Sequence, residues 1–421
     1  MLRRFEKILL FLITLFLPTQ LGKHFWPEFS QIHSLHIDYL SPTIYFWDLL
    51  VIALIFIFLL QRKKINKWAL NLFLLFILAQ VMSLVQIIWN KEVNLGAGLA
   101  RLEQYLIAGF FGVYIASKNI QKISGLLFWS LSFSLILQSL LALGQFYFKA
   151  DLGMWFLGER GFNITTPAIA KFDFYGQEFL RPYATFPHPN VLAGFMVVIL
   201  PILLLVNGLA NKHSFYLKKL SVYTLASLAM MLSGLVIFLT VSRVALVCFL
   251  IMGLVVLRKA GLILLGLSSL FFLPVFIERF TTIFTFDNLS LLRREELANI
   301  SLELFKKSVL WGVGLNNFIP MAADSLLVGP SRFLQPAHNI YLLTLAETGL
   351  IGFLGLFCLI VLPIFKLTRP FFKPKSFLIA SWVILLFLGL FDHYFLTLQQ
   401  GYRLMFLLWG ISFAVLEYQS V

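Results

Sequence analysis

Residues 181–207 read RPYATFPHPNVLAGFMVVILPILLLVN, a polar, proline-bound segment that runs straight into a charge-free apolar stretch. A hydrocarbon core about 30 Å thick takes about 20 apolar residues per helical crossing, so the second half reads as a membrane helix over 189–207. Similar runs, bounded by charges, Pro, Gly or Asn, predict further helices at 7–22, 43–60, 68–89, 100–117, 123–148, 219–240, 242–257, 260–277, 338–365, 377–398 and 403–418. The expectation is an all-α integral membrane protein, a single polytopic membrane domain over 1–421 with about twelve crossings. A chain that is 60% hydrophobic and 12% charged is no ordinary soluble enzyme. Cys248 and Cys358 lie in apolar runs, which excludes a disulfide framework or a cysteine zinc site as organising principle. Arg3, Arg4 and Lys7 precede the first apolar stretch as in a secretory signal, but 18–22 offers no small-x-small cleavage site, so it reads as a retained helix.

The net charge of +14 is explained by where the cations fall. With the N-terminus cytoplasmic, the inner connections hold Arg62, Lys63, Lys64 and Lys67, then Lys118 and Lys122, Lys212, Lys218 and Lys219, Arg258 and Lys259, and Lys366, Arg369, Lys373 and Lys375. Glu6 and Glu417 are the acids on that side. Short cationic loops stay in the cytoplasm, which predicts both termini inside. No basic patch is interleaved with aromatics, so no nucleic acid partner is expected. Two outer segments, 149–188 and 278–337, are too long for simple turns and mark the outer side as the place for chemistry. Within the second, which separates the expected helices nine and ten, Leu297, Ile300 and Leu304 recur at helical spacing against Arg293, Arg294, Glu295, Glu296, Asn299 and Glu303. They predict an amphipathic surface helix over Leu291–Leu310, with Lys306 and Lys307 at the negative end of its dipole.

Polar residues collect where helices meet these outer loops. Pro182, Pro187 and Pro189 predict a rigid irregular segment presenting Arg181, His188 and Asn190. Thr240-Val241-Ser242-Arg243 is nearly the whole connection between two helices, so Arg243 sits at the outer interface, where a cation needs an anionic partner. Pro336-Ala337-His338-Asn339 opens the tenth expected helix. Each has a plain alternative: an interfacial arginine that snorkels or pairs structurally, a histidine that caps a helix. Their convergence at one depth on one side suggests a shared cavity. Glu347 falls about 13 Å deeper than His338 on the opposite side of the same helix and reads as a structural pair. Gly349, Gly352 and Gly355 read as a smooth packing strip. Asp392, His393 and Arg403 read as a local ion-pair group. The phosphate loop, the H-E-x-x-H pair and the serine elbow are absent, and no His or carboxylate cluster has metal-ligand spacing. Trp311–Phe318, WGVGLNNF, reads as a tight turn that aims two asparagines.

Four motifs together, R-P-x-x-T-F-x-H-P-N at 181–190, S-R at 242–243, G-V-G-x-N-N-F at 312–318 and H-N-x7-E-x-G-x-x-G at 338–352, resemble the O-antigen ligase and O-antigen polymerase superfamily. The resemblance implies an inverting, metal-independent membrane glycosyltransferase of polysaccharide and lipopolysaccharide biosynthesis, without a cofactor. It implies transfer from undecaprenyl diphosphate to an acceptor hydroxyl on the outer face of the bacterial cytoplasmic membrane. Arg181 and Arg243 match the arginines that contact the lipid diphosphate, and His338 matches the histidine assigned to acceptor activation. His188, Asn190, Tyr183, Asn339, Asn316 and Arg160 are the accompanying candidates for substrate contact. Lipid A core ligases, repeat-unit polymerases and protein O-oligosaccharyltransferases share these motifs, so the acceptor stays open among glycan, lipid and protein. The chemistry agrees: a glycosyl diphosphate needs its developing charge stabilised, which bidentate guanidinium groups do without a metal. A transporter would instead show an internal repeat and paired broken helices, which the sequence lacks.

Overall fold

A computed structural model describes residues 2–88, 90–174, 176–211, 216–257, 289–325, 334–368 and 373–418. The apolar runs form α1 (Leu2–Leu15), α2 (Phe46–Leu60), α3 (Lys67–Leu84), α4 (Leu95–Ala116), α5 (Ile120–Phe148), α6 (Pro189–Asn211), α7 (Tyr216–Leu239) and α8 (Arg243–Leu257). They continue in α9 (Leu289–Lys307), α10 (Phe318–Ala322), α11 (Ile340–Leu367), α12 (Lys373–Leu388), α13 (Tyr394–Thr397) and α14 (Gln399–Tyr418). The fold is all-α and of membrane type. Spans at Lys67–Ile88, Ile120–Phe148, Pro189–Ala210 and Ile340–Leu367 are long and apolar enough to cross a bilayer, with shorter apolar helices beside them. Twelve crossings remain an expectation beyond these, and the expected helix at 260–277 lies outside the described residues. The quoted helix, α6, is the most deeply enclosed of the long spans and packs among α5, α7 and α12.

Three places depart from the apolar pattern. The run expected as one helix over 377–398 stops at Leu388: the chain turns through Gly389 to Asp392, and the short α13 follows. The expected glycine strip on α11 is broken at Gly349, whose φ of 60° and ψ of −162° are not helical. There the G-V-G turn docks backbone to backbone: the N–H groups of Val313 and Gly314 donate to the carbonyls of Ala346 and Glu347 at 2.9 and 2.8 Å, and Leu350 N–H donates to Val309 at 2.9 Å. A Cβ on Gly312 would collide with the Glu347 carbonyl, and one on Gly349 with that of Leu310. Two sequence motifs are thus halves of one joint. Finally, residues 16–45 and 149–188 carry small hairpins rather than plain loops: β1 (Gly22–His24) with β4 (Thr43–Tyr45), β2 (Gln31–Ile32) with β3 (Leu35–His36), and β5 (Lys171–Phe174) with β6 (Gln177–Leu180).

α9 buries Leu297, Ile300 and Leu304 against Phe318, Leu343 and Ala346, leaving Arg293 and Arg294 at its first turns. Among the described residues, the basic connections after α2, α4 and α11 gather at one end of the bundle. There Glu6 accepts from Lys63 at 2.7 Å, from the Tyr114 hydroxyl at 3.0 Å and from Lys118, while Lys366 lies over the Trp68 ring. Arg101, near the other end of α4, stands about 25 Å from Lys118 at the helical rise. Arg403 is fully buried: it donates to the Thr19 carbonyl at 2.9 Å, faces Asp48 at 3.6 Å and stacks on Tyr45 and Trp47. It therefore does not join Asp392 and His393 in one ion-pair group. A prediction follows from the joint. Gly153 has a similar left-handed φ of 73° in open space, so it controls for backbone strain. Gly312→Ala is expected to lower the melting temperature in detergent well beyond Gly153→Ala, by on the order of 3 kcal/mol more strain and displacement; equal effects contradict the docked turn.

Candidate active site

The loop 181–190 has its backbone held by amides from α5. Gln145 Oε1 accepts from the N–H groups of Tyr183 and Ala184 at 2.9 and 2.7 Å, and its Nε2 donates to the Ala184 carbonyl at 3.0 Å and to Glu159 at 2.7 Å. Glu159 in turn accepts from the backbone N–H groups of Leu152 and Met154. Gln138 accepts from the Thr185 hydroxyl at 2.9 Å. The prolines limit this segment's conformations, and the glutamines decide which one it adopts, including a left-handed Ala184 at φ 49°. So held, Arg181 donates through Nε to the Thr240 carbonyl and through Nη2 to Asn190 Oδ1, both at 2.6 Å. His188 Nδ1 accepts from Asn190 N–H at 3.1 Å, which leaves the proton of the neutral ring on Nε2. Its ring is open to a cavity, and burial within the surrounding protein, with the Arg181 guanidinium, pushes its pKa down.

His338 is brought in by a different element, the start of α11. The start of α11 is tied to the turn after α12, with Ile340 N–H donating to Gly389 at 2.8 Å and Asn339 Nδ2 to Leu390 at 3.1 Å. These bonds bring His338 Nδ1 to 3.4 Å from Asp392 Oδ1, and its ring to 4.9 Å from that of His393. Burial alone would raise the Asp392 carboxyl, but the bond and charge of His338, with His393 and Arg294, hold it below the usual carboxylate range. Burial pushes His393 down to about 3, which keeps it neutral.

Arg181, His188, Asn190, His338 and Arg160 all line one cavity of about 990 Å³ at the end of the bundle away from the basic connections. Arg101, Arg293, Arg294, Asp392 and His393 line it too. Arg243 is half-buried and begins α8 two residues after the turn whose Thr240 carbonyl Arg181 grips, but it is not among the lining residues. Tyr183, Asn316 and Asn339 are also outside the lining. The Tyr183 hydroxyl accepts from Ala170 N–H at 2.8 Å, Asn316 donates to the carbonyls of Tyr39 and Ala97 at 3.0 Å, and Asn339 caps α11 by accepting from Tyr341 and Leu342. Glu347 is enclosed beside the joint and accepts from Phe318 N–H at 3.3 Å. Sequence spacing gave no sign that His338, Asp392 and His393 meet, yet their ligand atoms lie within 4.8 Å of one another, close enough to consider a divalent ion. Arg293 and Arg294 read in sequence as a solvent face; nothing short of the fold turns them inward.

These features define an all-helical membrane-type protein whose helix mouths enclose a cationic, histidine-bearing cavity. Residues 228–357, about a third of the chain, match the family model described as O-antigen ligase. That match supports the O-antigen ligase and polymerase superfamily and implies a bacterial membrane enzyme of glycosyltransferase type, acting in polysaccharide or lipopolysaccharide biosynthesis. It spans Arg243, Arg293, Arg294, the G-V-G turn, His338 and the first part of α11 with its break at Gly349. No curated protein matches the chain.

The loop's dependence on Gln145 is testable. Gln145→Leu leaves the buried N–H groups of Tyr183 and Ala184 without acceptors, at about 1–3 kcal/mol each. Hydrogen exchange at 181–190 is expected to speed up markedly while α11 keeps its protection; unchanged exchange in the loop contradicts the role.

Proposed function

We propose that the chain transfers a glycan from undecaprenyl diphosphate to an acceptor hydroxyl on the outer face of the bacterial cytoplasmic membrane, with inversion and without a metal. The observation that carries this reading is the meeting of Arg181 and His338, 157 positions apart in sequence, in one cavity also lined by Arg293 and Arg294. The arginines bind the diphosphate, whose developing charge they stabilise as the bond to the anomeric carbon breaks. Arg243, at the head of α8, adds positive charge behind Arg181. His338 Nε2 takes the acceptor's proton, because Nδ1 faces Asp392. Asp392 fixes the ring and stabilises the imidazolium that forms. The acceptor oxygen attacks the anomeric carbon opposite the leaving diphosphate, so one displacement inverts the centre and releases undecaprenyl diphosphate. His188 and Asn190 stand beside Arg181 on the diphosphate side, and Arg160 lines the same cavity.

The test is transfer by the purified protein in nanodiscs from an undecaprenyl-diphosphate glycan to lipid A core, to protein and to a second lipid-linked repeat. His338→Ala, Arg181→Ala and Arg243→Ala are each expected to lower the rate by at least about a hundredfold while the protein stays folded; full transfer by His338→Ala refutes its role as base. Chelators are expected to leave the rate unchanged. Loss in chelator, with recovery on adding one divalent ion, would instead give His338, Asp392 and His393 to a metal.

A further inference from the structure

We infer that the wall of the cavity formed by the 155–160 turn and the N-terminal hairpins is a saccharide subsite, with the indole of Trp155 as its platform. The inference rests on the transfer reading for the identity of the glycan, and on the structure for its place. Trp155 lines the cavity yet is 72% exposed, an unusual state for the largest apolar side chain. Beside it on the same wall, Arg160 and Asp38 face each other at 3.6 Å, each about half exposed. A sugar ring has one face of C–H groups and a rim of hydroxyls. A flat aromatic face accepts the C–H groups, which carry partial positive charge, while a carboxylate and a guanidinium accept from and donate to the rim. Both chemistries are present here on one surface.

His24 lines the cavity and stacks on Trp26 at 5.4 Å, and Trp26 stacks on His36 at 4.7 Å. These rings stack on one another and pack the hairpins together behind the wall that carries Trp155. Aromatics at the outer interface of a membrane protein also serve as lipid anchors. Trp155 differs by sharing its cavity with the Asp38–Arg160 pair, a charged lining that suits hydroxyls rather than acyl chains.

Two titrations in nanodiscs test this. The first uses undecaprenyl diphosphate with and without its glycan, and the second uses the oligosaccharide released from that glycan by mild acid. Wild-type protein is expected to bind the glycan-bearing lipid more tightly than the bare lipid, and to bind the free oligosaccharide. Trp155→Leu is expected to weaken both glycan-bearing ligands about tenfold and to leave the bare lipid unchanged. Trp155→Phe is expected to retain most of the affinity. In transfer, Trp155→Leu raises KM and keeps kcat. Equal weakening for bare and glycan-bearing lipid, or no weakening with Leu, overturns the subsite. Glycan binding that depends on Trp155 without any transfer overturns the transfer reading and leaves the subsite standing.

Discussion

Irregular backbone at the mouth of an apolar helix bundle persists only where its N–H and C=O groups find partners inside the protein. Here side-chain amides, most of them buried, supply many of those partners. Gln145 and Gln138 hold the loop that carries Arg181. Asn316 bridges the carbonyls of Tyr39 and Ala97, and Asn339 both caps α11 and reaches across to Leu390. The bonds of Gln145, Gln138 and Asn316, which are buried, lie in a region of low dielectric and are costly to leave unmade. The cavity is the space these loops enclose. Its cationic groups are positioned before any ligand arrives, which is what electrostatic stabilisation of a leaving diphosphate requires.

The joint between the G-V-G turn and the break at Gly349 serves the same end from a different direction. It fixes the connection after α9 to the middle of α11, so that α9, which brings Arg293 and Arg294, and α11, which brings His338, are set relative to one another. Two glycines are needed because two backbones touch there with no room for a Cβ. The G-V-G turn is structural, and its effect on the site is exerted through position.

Much of this was legible in the amino-acid sequence, for physical reasons that also mark the limit. Long apolar runs report helices because lipid tolerates little else, and Arg181 and His338 stood out as polar groups at helix mouths. Asp392 did not stand out as the neighbour of His338, because the turn at Gly389 interrupts what reads as one continuous apolar run. Gln145 was hidden inside the apolar stretch of α5, where its amide looks like a tolerated exception. The hairpins of 16–45 have strands of two or three residues, too short for alternation to register. Asn316 and Asn339 illustrate the converse: a polar residue beside a helix start fits a cap and a ligand contact equally well in sequence, and geometry assigns their amides to the backbone.

The central claim is that guanidinium groups and an imidazole from distant parts of the chain grip one diphosphate and activate one hydroxyl. A structure with an undecaprenyl-diphosphate glycan bound tests it most directly. The account predicts diphosphate oxygens within about 3 Å of the Arg181 guanidinium, with the anomeric carbon facing His338 Nε2. A diphosphate bound at the basic end near Lys63 and Lys118, or away from both Arg181 and His338, would contradict it.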